Sequence, residues 1–263
     1  MLFWHPKKVR ANTVNHRKGL LKLLGVVYLS MISSASYADV VQIATASNFR
    51  APFETLIENY ESTSLRPVYA SSGKLIAQIR HGAPIDIFLS AEPIGKHLPE
   101  ELIVDGSEFT YAYGQLALVG ELSQNKNTEQ LLEFPQILPC LAIANPSLAP
   151  YGRAAEQVIK HLEGKGWKFE RIVKGQSVAQ AFQFFDSGAC DHALVAYAQV
   201  LANTKSIEHT LIRSTWHEPI QQNAILLKRA ENKPEALRFF EFLKSKEARK
   251  IIRDSGYLMF SGH

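Results

Sequence analysis

Four short stretches place hydroxyl and amide groups where an apolar run gives way to an amphipathic one. They are Ser47-Asn48 after residues 40–44, Ser71-Ser72-Gly73 after 66–70, Asn145-Pro146 with Pro150-Tyr151-Gly152 after 141–144, and Gly175-Gln176-Ser177-Val178 after 169–174. None of the four turns carries a charged side chain. Taken singly, each reads as a helix cap, because Ser and Asn satisfy the N–H groups that a helix leaves unpaired in its first turn. Four in one α/β chain imply more. In open parallel sheets, ligands bind beyond the carboxyl ends of the strands, where such helix starts gather. Free N–H groups and positive dipole ends there suit an anion. Hydroxyls and backbone amides can satisfy every oxygen of a small oxyanion without burying a formal cation, and they leave the ligand free to depart.

The elements that must position these turns follow from hydrophobic periodicity. Short apolar, β-branched runs predict strands over 40–44, 66–70, 85–90, 115–119, 141–144, 169–174, 193–197 and 224–227. Helical stripes predict helices over 52–60, 74–81, 152–163, 178–186 and 234–255. Phe53, Leu56, Ile57 and Tyr60 form one such stripe behind Pro52, a residue suited to a first helical turn. The alternation is that of an α/β fold with mostly parallel sheets. A length of 263 residues, 46% of them apolar, allows one large domain or two lobes with separate cores.

Residues 1–38 differ from the rest. Lys7, Lys8, Arg10, Arg17, Lys18 and Lys22 stand there without an acid, followed by an apolar stretch from 20 to 32 and by Ser36-Tyr37-Ala38. This is the pattern of a secretory signal peptide cleaved before Asp39. An uncleaved anchor is the other reading, but Lys22 and Ser33, Ser34 and Ser36 leave the apolar core short of the roughly 20 residues that span a bilayer. Removing the six leader cations leaves 23 Lys and Arg against 25 acids, a net charge near −2 in place of +4. Without a clustered basic face, nucleic-acid or membrane-surface binding loses its support. Cys140 and Cys190 would then lie in an oxidising compartment, as one disulfide or as two buried thiols.

The stretches ATASNF, YASSGKLIAQI, GAPIDIFLSA, ANPSLAPYG and ALVAYAQV, in this order and spacing, resemble the periplasmic molybdate-binding proteins of ABC transporters. The resemblance covers the chain from Val40 through residues 235–257. It implies a two-lobed type II periplasmic binding fold, each lobe a mostly parallel sheet flanked by helices, with crossovers near 113–116 and 219–223. Lobe one would comprise 39–114 and 221–263, and lobe two 115–220. Carried over by position, the ligand contacts fall on Ser47, Asn48, Ser72, Tyr151 and Val178. Ser47, Ser72 and Tyr151 would give hydroxyls, Asn48 and Val178 backbone N–H groups. These would touch the oxygens of molybdate or tungstate, with no direct metal ligation and no cofactor. A second branch of the family uses a tyrosine where Ala196 stands here. Tyr197 is one step on, and one step reverses the face of a strand, so Tyr197 stays outside the expected site. The implied partner is an inner-membrane ABC permease, and the implied receptor is a periplasmic monomer without enzymatic activity.

Other chemistries fit less well. Gly175-Gln176-Ser177-Val178-Ala179 nearly matches a nucleophile elbow, with Ser177 as nucleophile and His209 or His217 as base, but the final glycine and an oxyanion loop are missing. Gly73-Lys74-Leu75 lacks the remainder of a phosphate loop, which leaves Lys74 as a solvated helix residue. Asp86 suits a buried carboxylate that braces loops. A receptor for sulfate or phosphate remains the alternative.

Overall fold

A computed structural model describes Met1 and residues 40–60, 62–121 and 135–259. The signal-peptide reading thus falls outside the described residues, Met1 apart. The strands are β1 (Val41–Ala46), β2 (Leu65–Ala70), β3 (Ile87–Ser90), β4 (Phe109–Gly114), β5 (Leu116–Val119), β6 (Ile137–Leu138), β7 (Leu141–Ala144), β8 (Lys168–Phe169), β9 (Ile172–Gly175), β10 (His192–Ala196), β11 (His209–Leu211) and β12 (Ile220–Leu226). The helices are α1 (Arg50–Tyr60), α2 (Ser72–Arg80), α3 (Pro150–Glu163), α4 (Val178–Asp186), α5 (Tyr197–Leu201), α6 (Pro234–Phe242) and α7 (Lys246–Asp254).

Two five-stranded sheets form two lobes, in the orders β2-β1-β3-β12-β4 and β11-β5-β10-β7-β9. Both are mixed in the same way. The strands that feed the site helices pair parallel, β2-β1-β3 in one sheet and β9-β7-β10 in the other. The remaining pairings, β3-β12-β4 and β10-β5-β11, are antiparallel. Antiparallel neighbours arise where the chain passes between sheets, through Gln115 on the way out and through 212–219 on the way back.

The first sheet buries both faces with a period of two. Ile43, Ile87, Leu89, Ala224 and Leu226 pack with Phe53 and Leu56 of α1, Phe239 and Phe240 of α6, and Ile252 of α7. Ala44, Phe88 and Ile225 face the other way, onto Leu75, Ile76 and Ile79 of α2. In the second lobe Ala155, Val158, Ile159 and Leu162 of α3 and Ala181 of α4 close the core over β5, β7 and β10.

Three expected elements differ. The helix over 234–255 is two helices, broken at Ser245, whose hydroxyl accepts from Ala248 N at 3.1 Å and caps α7. The strand over 169–174 splits into β8 and β9, and the strand over 193–197 ends at Ala196. Cys140 and Cys190 form a disulfide immediately ahead of the paired strands β7 and β10, where His192 aligns with Leu141. Asp86 is wholly buried: it accepts from Gln42 N at 2.8 Å and pairs with Arg229 and Lys233, each at 3.1 Å, which ties the segment after β12 to the start of β3.

Candidate functional site

Each of the four polar turns does join a strand to a helix. Ser47–Phe49 is a 3-10 turn between β1 and α1, Ser72 opens α2, Tyr151 follows Pro150 at the start of α3, and Val178 opens α4. Their N–H groups belong to first turns, which have no acceptor within their own helix. Ser177 caps α4, its hydroxyl accepting from Gln180 N at 3.3 Å.

The fold brings the four starts together across the two lobes. The Ser47–Phe49 turn packs against α4. Gly73 N donates to Leu148 O, just ahead of α3, at 3.0 Å. Lys74 Nζ donates to Gln176 Oε1 at the turn before α4, and Arg153 of α3 pairs with Glu92, which follows β3. One glycine permits this approach, since a Cβ on Gly73 would sit 2.9 Å from Leu148 O. Within the second lobe Gly152 lets the start of α3 lie against the end of β7, where a Cβ would sit 2.5 Å from Ala144 O. Ser47, Asn48, Ser72, Tyr151 and Val178 are all buried.

These four starts share a charge pattern. No acid stands in the first turn of α1, α2, α3 or α4, whereas α6 and α7, which begin elsewhere, carry Glu235 and Glu247 there. First-turn acids normally offset the positive dipole end. Their omission at the four converging starts leaves those ends uncompensated where an anion could sit.

The side chains sort into donors and supports. Ser72 Oγ accepts from Ala91 N at 3.0 Å, which occupies a lone pair and leaves its proton to give. Asn48 turns its side chain inward, Nδ2 donating to Gln222 Oε1 at 2.7 Å and to Tyr257 Oη at 2.9 Å, so that its backbone N–H is what remains for a ligand. Tyr151 buries its hydroxyl, which has no exposed surface and lies beside the Tyr257 hydroxyl and the Asn48 side chain. It fills the space where Gly114 lacks a side chain, since a Cβ there would overlap the oxygen. Burial, with Tyr257 and Tyr111 close by, pushes its ionisation well above the usual tyrosine range. Tyr151 therefore presents its backbone N–H at the helix start and its hydroxyl to the crossover.

Tyr197 begins α5, and its ring lies against His209, at 5.5 Å between centroids, and along Gly256. The hydrolase partners are otherwise engaged: His209 Nδ1 meets Ile207 O at 2.9 Å, and His217 Nδ1 meets Glu218 O at 2.8 Å. Sequence reasoning missed Glu92, Arg153 and the reach of Lys74 across the lobes. These are ordinary surface residues in a linear reading, and no local signal marks them. It also missed Gln222 and Tyr257, which hold Asn48.

Comparison with known proteins gives a consistent picture. A family model described as bacterial extracellular solute-binding protein matches residues 41–258. Molybdate-binding protein ModA of Azotobacter vinelandii is 32% identical over 248 residues, covering 90% of this chain and 97% of that protein. ModA of Rhodobacter capsulatus is 33% identical, covering 92% and 96%. The solved Azotobacter vinelandii periplasmic molybdate-binding protein superposes with a TM-score of 0.72 at 33% identity, covering 84% of this chain and all of that one.

Proposed function

Starting from a chain that belongs to the family of bacterial extracellular solute-binding proteins, we propose that it captures molybdate between its lobes and hands it to an ABC permease. Tungstate, a near-isosteric dianion, is the companion ligand. The working form is a periplasmic monomer freed of residues 1–38, with lobe one at 39–114 and 221–263 and lobe two at 115–220. It carries no cofactor and performs no reaction. Ser47 and Ser72 give hydroxyls to the anion's oxygens, and Asn48, Tyr151 and Val178 give backbone N–H groups.

The observation that carries this reading is the convergence of four acid-free helix starts between the lobes. The donor set also favours a fully deprotonated ligand. No carboxylate stands among the five residues to take a proton. Phosphate, partly protonated at neutral pH, would bury a donor without a strong acceptor, at a cost of about 1 to 3 kcal/mol. Sulfate has the right charge but is smaller, so its oxygens reach donors of both lobes at poorer distances.

Titration calorimetry at neutral pH with molybdate, tungstate, sulfate and phosphate tests the reading. Molybdate and tungstate should bind far more tightly than sulfate, and sulfate no more weakly than phosphate. Phosphate binding as tight as that of molybdate would overturn both the site and the function.

A further inference from the structure

The geometry points to Tyr257 and Gln222 as positioning residues of the anion site, which set the Asn48 backbone toward the ligand without touching it. This rests on the molybdate reading above. Asn48 O occupies the place in the chain whose helical acceptor role would be filled by the N–H of residue 52, and residue 52 is Pro52, which has none. Tyr257 supplies the missing donor, its hydroxyl giving to Asn48 O at 3.0 Å. The same hydroxyl oxygen accepts from Asn48 Nδ2 at 2.9 Å, so one phenol holds both the main chain and the side chain of this residue. Gln222 takes the second Nδ2 proton at 2.7 Å and is itself locked, its Nε2 donating to Ile220 O at 3.0 Å.

The support is rigid and wholly internal. Gln222 is fully buried on β12, and Tyr257 is 2% exposed, its ring edge-on to Phe49 at 5.4 Å. Asn is a preferred cap residue, yet this amide caps no helix end. Its hydrogen bonds all run to residues that arrive late in the chain, from the return strand and from the segment after the last helix. With both donors of the amide and the residue's carbonyl engaged, the Asn48 side chain and the Asn48–Phe49 peptide are both fixed, and with them the Cα next to the Asn48 N–H. An anion site made of neutral donors depends on such pre-set directions.

The test uses the full mature protein and molybdate, with sulfate and phosphate titrated alongside. Tyr257→Phe keeps the ring and its packing and removes both bonds to Asn48, and it should weaken molybdate binding about tenfold. Gln222→Met, which removes the acceptor for Asn48 together with the bond to Ile220 O, should act in the same direction. Tyr111→Phe is the control. It deletes a buried hydroxyl in the same core, with its ring 5.0 Å from Phe49 but with no bond to Asn48, and it should leave the affinity unchanged. Circular dichroism and unfolding midpoints well above the assay temperature separate loss of the site from loss of fold. Wild-type affinity in folded Tyr257→Phe, or in folded Gln222→Met should the first fail to fold, overturns the inference alone, as does an equal loss in Tyr111→Phe. A wild-type protein that binds none of the three anions overturns the function and this inference together.

Discussion

Gly73 donates its backbone N–H to the carbonyl of Leu148 at 3.0 Å, so the second residue of α2 in one lobe is bonded to the turn before α3 in the other. With the Arg153–Glu92 pair and the Lys74–Gln176 contact, this describes a shut cleft. Ligand should therefore draw the lobes together. Solution scattering on the mature protein should give a smaller radius of gyration with molybdate than without. Gly73→Ala, whose Cβ would press on Leu148 O at 2.9 Å, should blunt that compaction. Binding with no compaction in the wild type would contradict the closed-cleft account.

Tyr151→Phe should change molybdate affinity by less than about threefold, because the hydroxyl is buried against Gly114 with no exposed surface. A direct hydrogen bond to a dianion would instead make the loss larger than about tenfold. Gly114→Ala supplies the counter-experiment. The added methyl would displace the Tyr151 ring, so affinity should drop even though no ligand contact has been altered. Calorimetry on the two variants distinguishes these roles.

Alkaline pH should destabilise the protein through its buried tyrosines. Burial raises the ionisation of Tyr111, Tyr151 and Tyr257 above the ordinary value of 10.0. The unfolded chain then releases these protons first. The stability these groups contribute is complete below about pH 10 and is lost as pH rises toward the raised values. Thermal midpoints should hold to about pH 9 and decline beyond about pH 10. A midpoint still level at about pH 11 would contradict the burial of these hydroxyls.

Reducing the Cys140–Cys190 disulfide should lower stability by about 3 to 4 kcal/mol, the range for a closed loop of this length. Denaturant unfolding with and without reductant measures the difference. Thiol titration of the denatured, unreduced protein should find no free sulfhydryl from this pair, and two titratable thiols would refute the bridge.

The turns of the site were legible in the sequence because their signals are local. Ser, Asn, Gly and Pro mark a strand end and a helix start within a few residues, and the acid-free first turns can be read directly. What holds those turns was not legible. Asn48 meets Gln222 and Tyr257 from 174 and 209 residues away, a separation at which no periodicity speaks. The setting of the Tyr151 hydroxyl is hidden for the same reason, since the space it fills belongs to Gly114 on another strand. β4, with the sequence Phe-Thr-Tyr-Ala-Tyr-Gly, is not among the strands that periodicity predicts and only its end meets the crossover expected near 113–116, because its identity as an edge strand depends on β12 arriving beside it. The split between α6 and α7 hides in a continuous apolar stripe that only the Ser245 cap interrupts.

The strand order has a consequence for when each lobe can form. β12 lies between β3 and β4 and, among the described residues, is the one strand of the first sheet with which β4 pairs. As the chain is made from its N-terminus, β3 keeps an open edge and β4 has no neighbour until residues 220–226 appear. All five strands of the second sheet lie within 116–211, an unbroken stretch, so that lobe can complete first. The first lobe must then close a loop of more than a hundred residues, with the entropy and delay that long-range pairing entails. The half of the protein that is synthesised first is thus the half that finishes folding last.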